Sequence, residues 1–147
     1  MMFHDFMYIC NMEKLNIFLD DIRTTEMSHN SNKGLGASVK WIIVRDYFDF
    51  VKIIDDNFDK IGIISFDHDL ACFKNDKEYT GKDAVNYLIN YCLTNNKLFP
   101  NWYIHTDNIT GRYNMIGIIK NYLEKIEGFD LSDFRYYHRG IVNNKYV

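Results

Sequence analysis

Three short apolar runs in this chain each stop abruptly at groups that titrate. Leu15-Asn16-Ile17-Phe18-Leu19 runs into Asp20-Asp21, Ile61-Gly62-Ile63-Ile64-Ser65-Phe66 into Asp67-His68-Asp69, and Trp102-Tyr103-Ile104 into His105-Thr106-Asp107. Runs of this length read as strands. The near-continuous apolar character of Ile61–Phe66 suits a central strand covered on both faces, the pattern of a parallel sheet. A fourth run, Val39 to Arg45, reads as another strand.

The segments between the runs carry a helical period. Asp46 is a cap for a helix whose apolar positions are Tyr47, Phe50, Val51 and Ile54, at offsets of three and four. Thr80 and Asp83 form a capping box for a helix through Ala84, Leu88, Ile89 and Cys92 to about Asn95. A last helix is expected from about Gly111 to Ile126, with Ala71 to Tyr79 a polar loop and Phe134 to His138 a final strand. Ile22 to Lys40 has no good helical period, so the first crossover is expected to be a loop. A polar loop of this length starting directly after an acidic pair is expected to act as a mobile cover, with Trp41 near the site. Alternating strands and helices predict an α/β domain with a mostly parallel sheet, whose ligands bind outside the carboxyl ends of the strands.

Composition narrows the function. The 147 residues are the size of one domain. An aromatic content of 16% excludes global disorder. The net charge of −3 provides no basic field for long duplex nucleic acid. No stretch is apolar for long enough to span a membrane. Cys10, Cys72 and Cys92 are odd in number and widely spaced, which fits neither a disulfide framework nor a zinc pattern and points to reduced thiols in the cytoplasm. The first residues, MMFHDFMYIC, contain Asp5 and lack a basic leader, which argues against a secretory signal. Residues 1–12 are expected to be an extension and 13–147 the domain, with Met12 an alternative start.

The strand-end residues carry the chemistry. Asp20, Asp21, Asp67 and Asp69 are expected to meet at one sheet edge. There their mutual repulsion is resolved by a hard divalent cation, Mg²⁺ or Mn²⁺, with Asp69 outside the inner set. The plainer alternative is that each Asp only caps a turn. His68 and His105 have the pKa range for acid and base work on a phosphate, against the alternative of structural histidines bonded to a neighbouring Asp. Thr106 and Asn108 offer a hydroxyl and an amide to phosphate oxygens. Arg112 at a helix start and Arg23 just past Asp21 are anion ligands or, alternatively, surface ion pairs.

The succession FLDDIR, WIIVRDY, ISFDHDL, TGKDAVNYL and YIHTDNITGRYNM resembles the cyclic-phosphate processing receiver-domain family, a divergent branch of the receiver fold. The resemblance covers about Ile17 to Met115. It implies a single receiver-like, flavodoxin-like three-layer domain, with Asp20 and Asp21 as the acidic metal pair, Asp67 at the phosphoacceptor position and Thr106 as the hydroxyl residue. His68 and His105 set the branch apart from ordinary receivers. The family usually has Ser, Pro and Gly where Thr106, Ile109 and Ala71 stand, and the receiver lysine after the fifth strand has no clear counterpart.

These readings lead to two functions. One is a metal-dependent phosphoesterase that opens a cyclic phosphate on a nucleotide or RNA end, with His68, His105 and Asp67 catalytic and Arg23, Thr106, Asn108 and Arg112 holding the phosphate. The other is a non-enzymatic receiver-like module that binds Mg²⁺ or a cyclic nucleotide.

Overall fold

A computed structural model describes residues 14–25, 40–128, 134–137 and 140–143. Four strands form a parallel sheet: β1 (Leu15–Leu19), β2 (Trp41–Val44), β3 (Ile61–Phe66) and β6 (Asn101–Ile104), in the order β2-β1-β3-β6. Between them run α1 (Tyr47–Asn57), a short 3₁₀ turn (Phe58–Lys60), α2 (Gly81–Asn95) and α3 (Ile109–Lys125). The chain moves from β2 across β1 to β3 through α1, and from β3 to β6 through α2. Right-handed crossovers place these helices on one face, and α2 packs against both α1 and α3. The expected α/β fold with a parallel sheet is the fold observed.

Strand alternation divides the interior in two. Ile17, Leu19, Ile64, Phe66, Trp102 and Ile104 join the helix-side core with Phe50, Ile54, Leu88 and Ile119. Phe18, Ser65 and Tyr103 take the opposite parity and are also fully buried. Burial on both faces accounts for the unbroken apolar runs.

Helix starts obey local chemistry. The Asp46 side chain accepts from Asp49 N (2.8 Å), as expected for a cap. Asp83 accepts from Thr80 N (2.8 Å) within the capping box. The third helix starts earlier than its apolar period suggested: Asn108 caps it by accepting from Gly111 N (2.8 Å), which puts Gly111 and Arg112 inside the first turn.

The loop expected over Ala71 to Tyr79 is instead a hairpin, β4 (Cys72–Lys74) and β5 (Lys77–Tyr79), in antiparallel register. Its turn residues Asn75 and Asp76 have φ of +52° and +61°, a two-residue turn that Asn and Asp tolerate best after glycine. Tyr79 stacks on Tyr47 with centroids 4.7 Å apart, which holds the hairpin against α1. The tail strand β7 (Phe134–Tyr137) pairs with β8 (Gly140–Asn143) as a second hairpin. The expected N-terminal extension and most of the expected cover, residues 26–39, lie outside the described residues.

Ala71 has φ +45°, the left-handed region in which a Cβ is strained. Ala71→Gly is therefore expected to raise stability by about 0.5–1 kcal/mol, read from chemical denaturation. The opposite holds at Gly81, where an added Cβ would lie 1.9 Å from the Asp67 carbonyl oxygen. Gly81 N also donates to His68 O (2.7 Å). Gly81→Ala should cost at least ~2 kcal/mol, because backbone on both sides has to shift.

Candidate active site

The register of the sheet builds the site. Leu19, Phe66 and Ile104 lie side by side across β1, β3 and β6. The next residue of each strand continues the ladder: Asp67 N donates to Leu19 O (2.9 Å) and His105 N to Phe66 O (3.0 Å). Asp20, Asp67 and His105 thus form one row at the carboxyl edge, on the parity of Phe18, Ser65 and Tyr103. Each offers a ligand atom within 4.8 Å of the other two. All three are almost completely buried.

Asp20 is the most heavily bonded of the row. One carboxylate oxygen accepts from the amides of Ile22 (2.9 Å) and Arg23 (2.6 Å), and the other faces His105 Nε2 at 3.0 Å. Burial alone would raise its pKa, but the His105 bond and the two amides outweigh it and hold the carboxyl below the usual range. Asp67 is pushed the other way. Burial raises its pKa against a bond from Thr106, and the Asp20 charge adds to the rise. Two buried carboxylates in such conflict, with no cationic side chain inside the row itself, fit a divalent ion with oxygen ligands.

His105 is placed differently from a mobile acid or base. Its ring is fully buried and stacked on Phe18, with centroids 4.2 Å apart and planes 11° apart. Nε2 faces the Asp20 carboxylate, which only accepts, so Nε2 carries the proton and Nδ1 accepts from Ser65 Oγ (2.7 Å). Burial lowers its pKa against the pull of Asp20, which favours the neutral ring.

His68 sits on the other side of Asp67. Its Nδ1 is 2.8 Å from Asp69 Oδ1, and Asn108 Nδ2 reaches both Asp69 oxygens (3.2 and 3.3 Å). The His68 bond is the main cause that holds the Asp69 carboxyl below its usual range. Gly111 lets α3 come this close, since a Cβ there would lie 2.4 Å from the His68 ring.

A cavity of about 320 Å³ opens over the row, lined by Asp20, Asp21, Ile22, Arg23, Asp67, Asp69, Thr106, Asp107 and Asn108. The structure therefore brings all four predicted metal-site carboxylates together with Arg23, Thr106 and Asn108. His68 and His105 stand behind this lining, each bonded to a carboxylate that faces it. Arg112 turns away and donates from Nη2 to Thr106 O (2.7 Å), bracing the loop from behind. Trp41 is not at the site: it begins β2, pairs with Asn16 and meets Phe18 edge-on, toward the amino end of the sheet.

Sequence reading missed three contributors. Arg45 Nη1 donates to the carbonyls of Asp20 (3.2 Å) and Arg23 (2.9 Å), pinning the loop after β1. Ser65 completes the bonding of the His105 ring that Asp20 orients, and its place two residues before Asp67 was the available signal. Asp107 forms an ion pair with Arg23 at 2.5 Å, between residues 84 positions apart.

Comparison with known proteins agrees with this geometry. No curated protein and no solved structure shows a significant match. The sequence profile of the cyclic-phosphate processing receiver domain matches residues 15–121, from β1 into α3 and across every residue of the cavity lining. Since that match spans well over half of the 147 residues, the chain belongs to the cyclic-phosphate processing receiver-domain family.

Proposed function

We propose that the protein is a metal-dependent phosphoesterase that opens a cyclic phosphate on a nucleotide or RNA end. The observation that carries this reading is the row of Asp20, Asp67 and His105 beneath a cavity that also presents Arg23, Thr106 and Asn108. Asp20 and Asp67, with Asp21 at the rim, would hold Mg²⁺ or Mn²⁺. The ion when bound supplies Lewis-acid polarisation of a phosphoryl oxygen and charge neutralisation.

The chain's own residues do the rest. Arg23 and the Thr106 and Asn108 side chains bind and orient the phosphate. Asp69, backed by His68, takes the proton of the attacking water and returns one to the departing ribose oxygen. His105 leaves the acid–base role that its residue type suggests, because both ring nitrogens are occupied and burial keeps it neutral. It positions Asp20 instead.

That same observation favours a second reading, a receiver-like module that binds a cation and a cyclic nucleotide without turnover, since a structural His105 removes one of two expected proton carriers. Incubation with a panel of 2′,3′- and 3′,5′-cyclic nucleotides plus Mg²⁺ or Mn²⁺, with chromatography of the products, decides between them. The phosphoesterase yields a monoester with at least one member of the panel. Saturable binding with no product from any member assigns the module.

A further inference from the structure

The cavity holds five carboxylates, Asp20, Asp21, Asp67, Asp69 and Asp107, and Arg23 is the one cationic side chain among its described lining residues. Arg23 is already engaged. Its Nη2 pairs with Asp107 at 2.5 Å and its Nη1 reaches His105 O at 3.5 Å, with Asp20 Oδ2 3.8 Å away. This ion pair ties the loop after β1 to the loop after β6, over the end of the central strand that carries Asp67. Asp107 is not in the buried row. Its side chain is 54% exposed, against 24% for Arg23. Asp69 is open too, at 63%, but it is bonded to His68, so Asp107 is the exposed carboxylate that an anion meets at the guanidinium itself.

We propose that Asp107 makes the cavity selective for ligand charge, admitting phosphate monoanions and disfavouring dianions. The proposal rests on the phosphoesterase reading for its biological sense. Opening a cyclic phosphate converts a diester with one negative charge into a monoester that is mostly dianionic above its second pKa of about 6. A ligand bound at Arg23 has to share the guanidinium with Asp107, and the Coulomb penalty from Asp107 is about twice as large for two charges as for one. The same aspartate therefore weakens a dianionic product more than the monoanionic substrate. It weakens dianionic inorganic phosphate in the same graded way.

The test is equilibrium binding at pH 8 with Mg²⁺ present, using 2′-deoxyadenosine 3′-phosphate as the dianion and its methyl diester as the monoanion. Asp107→Asn removes one exposed charge and is expected to tighten the monoanion roughly threefold and the dianion roughly tenfold, the square of the first factor. The difference should shrink at high salt. Asp107→Glu should keep the wild-type ratio. Equal gains for both ligands, or no gain for either, including no measurable binding by either protein, overturns the proposal. Turnover of cyclic nucleotides by wild type is scored separately. A charge-graded gain without turnover sinks only the phosphoesterase reading, whereas turnover with an ungraded gain sinks only the role of Asp107.

Discussion

Replacing His105 with alanine is expected to lower the thermal midpoint by roughly 10 °C, because the substitution removes a fully buried ring and strands two partners. The stacking on Phe18, the Ser65 bond and the Asp20 bond are lost together, and the carboxylate is left buried with only its two amide donors. Cavity and unpaired-group costs of this kind sum to about 3 kcal/mol or more. For a domain of this size each kcal/mol shifts the midpoint by about 2–4 °C. The variant also carries a pH signature. Burial lowers the folded-state pKa of His105 below the ordinary histidine value of 6.5, so on acidification the unfolded chain takes up the proton first. The contribution of His105 to stability is thus fully present above about pH 6.5 and is lost as pH falls below it. Asp67 acts in the opposite sense, since its raised pKa favours the protonated fold at low pH. The difference between the wild-type and His105→Ala stability curves isolates the histidine. A difference that does not vary between pH 8 and pH 5 would falsify the neutral, buried assignment.

The second large effect belongs to Asp20. Asp20→Asn keeps one oxygen for the amides of Ile22 and Arg23 but loses the charge and turns an NH₂ group toward His105 Nε2, which accepts it only once the ring proton has moved to Nδ1. Cation affinity should fall by more than ~100-fold, beyond the roughly 10–100-fold expected from losing an outer partner such as Ser65. Thermal scans provide a readout independent of activity. A cation at 100 times its dissociation constant stabilises wild type by about 2.7 kcal/mol, and the same addition should leave the variant almost unmoved. Asp59→Asn, which breaks only the Lys97 pair near the amino end of the sheet, is the control and should respond as wild type does. Equal stabilisation of wild type and Asp20→Asn by Mg²⁺ and by Mn²⁺ would remove Asp20 from the metal site.

Much of this molecule was legible in its sequence because strands announce themselves by composition and the sheet edge by the polar residues that end each strand. Ile61–Phe66 is bounded as an apolar run ought to be, and Asp20 and Asp67 share an edge because parallel strands all end on the same side. The less legible parts depend on partners distant in sequence. The hairpin over Cys72–Tyr79 hides because its strands are three residues each, Cys-Phe-Lys and Lys-Glu-Tyr, too short to show a period; only Asn75-Asp76 hints at the turn. His105 looks like a solvent-facing strand end until its parity is set against Phe18 and Ser65, which lie on other strands. Arg23 reads as an anion ligand or one half of an unnamed ion pair and Asp107 as one more polar group after a strand, and only the fold makes them a pair.

The single row of Asp20, Asp67 and His105 has a consequence for how the chain reaches its native state. Side chains alternate across a strand, so a slip of one residue in β3 would swing Asp67 into the helix-side interior among Phe50 and Leu88, a charge without a partner. The apolar runs alone discriminate poorly between registers, because both faces of β3 are apolar. The acidic ends supply the missing discrimination: a one-residue slip puts a carboxylate into the helix-side core, and a two-residue slip, which restores the parity, still parts Asp67 from Asp20 and His105. The residues that form the site therefore also proofread the sheet, and a cation bound there would favour the correctly aligned chain over every slipped one.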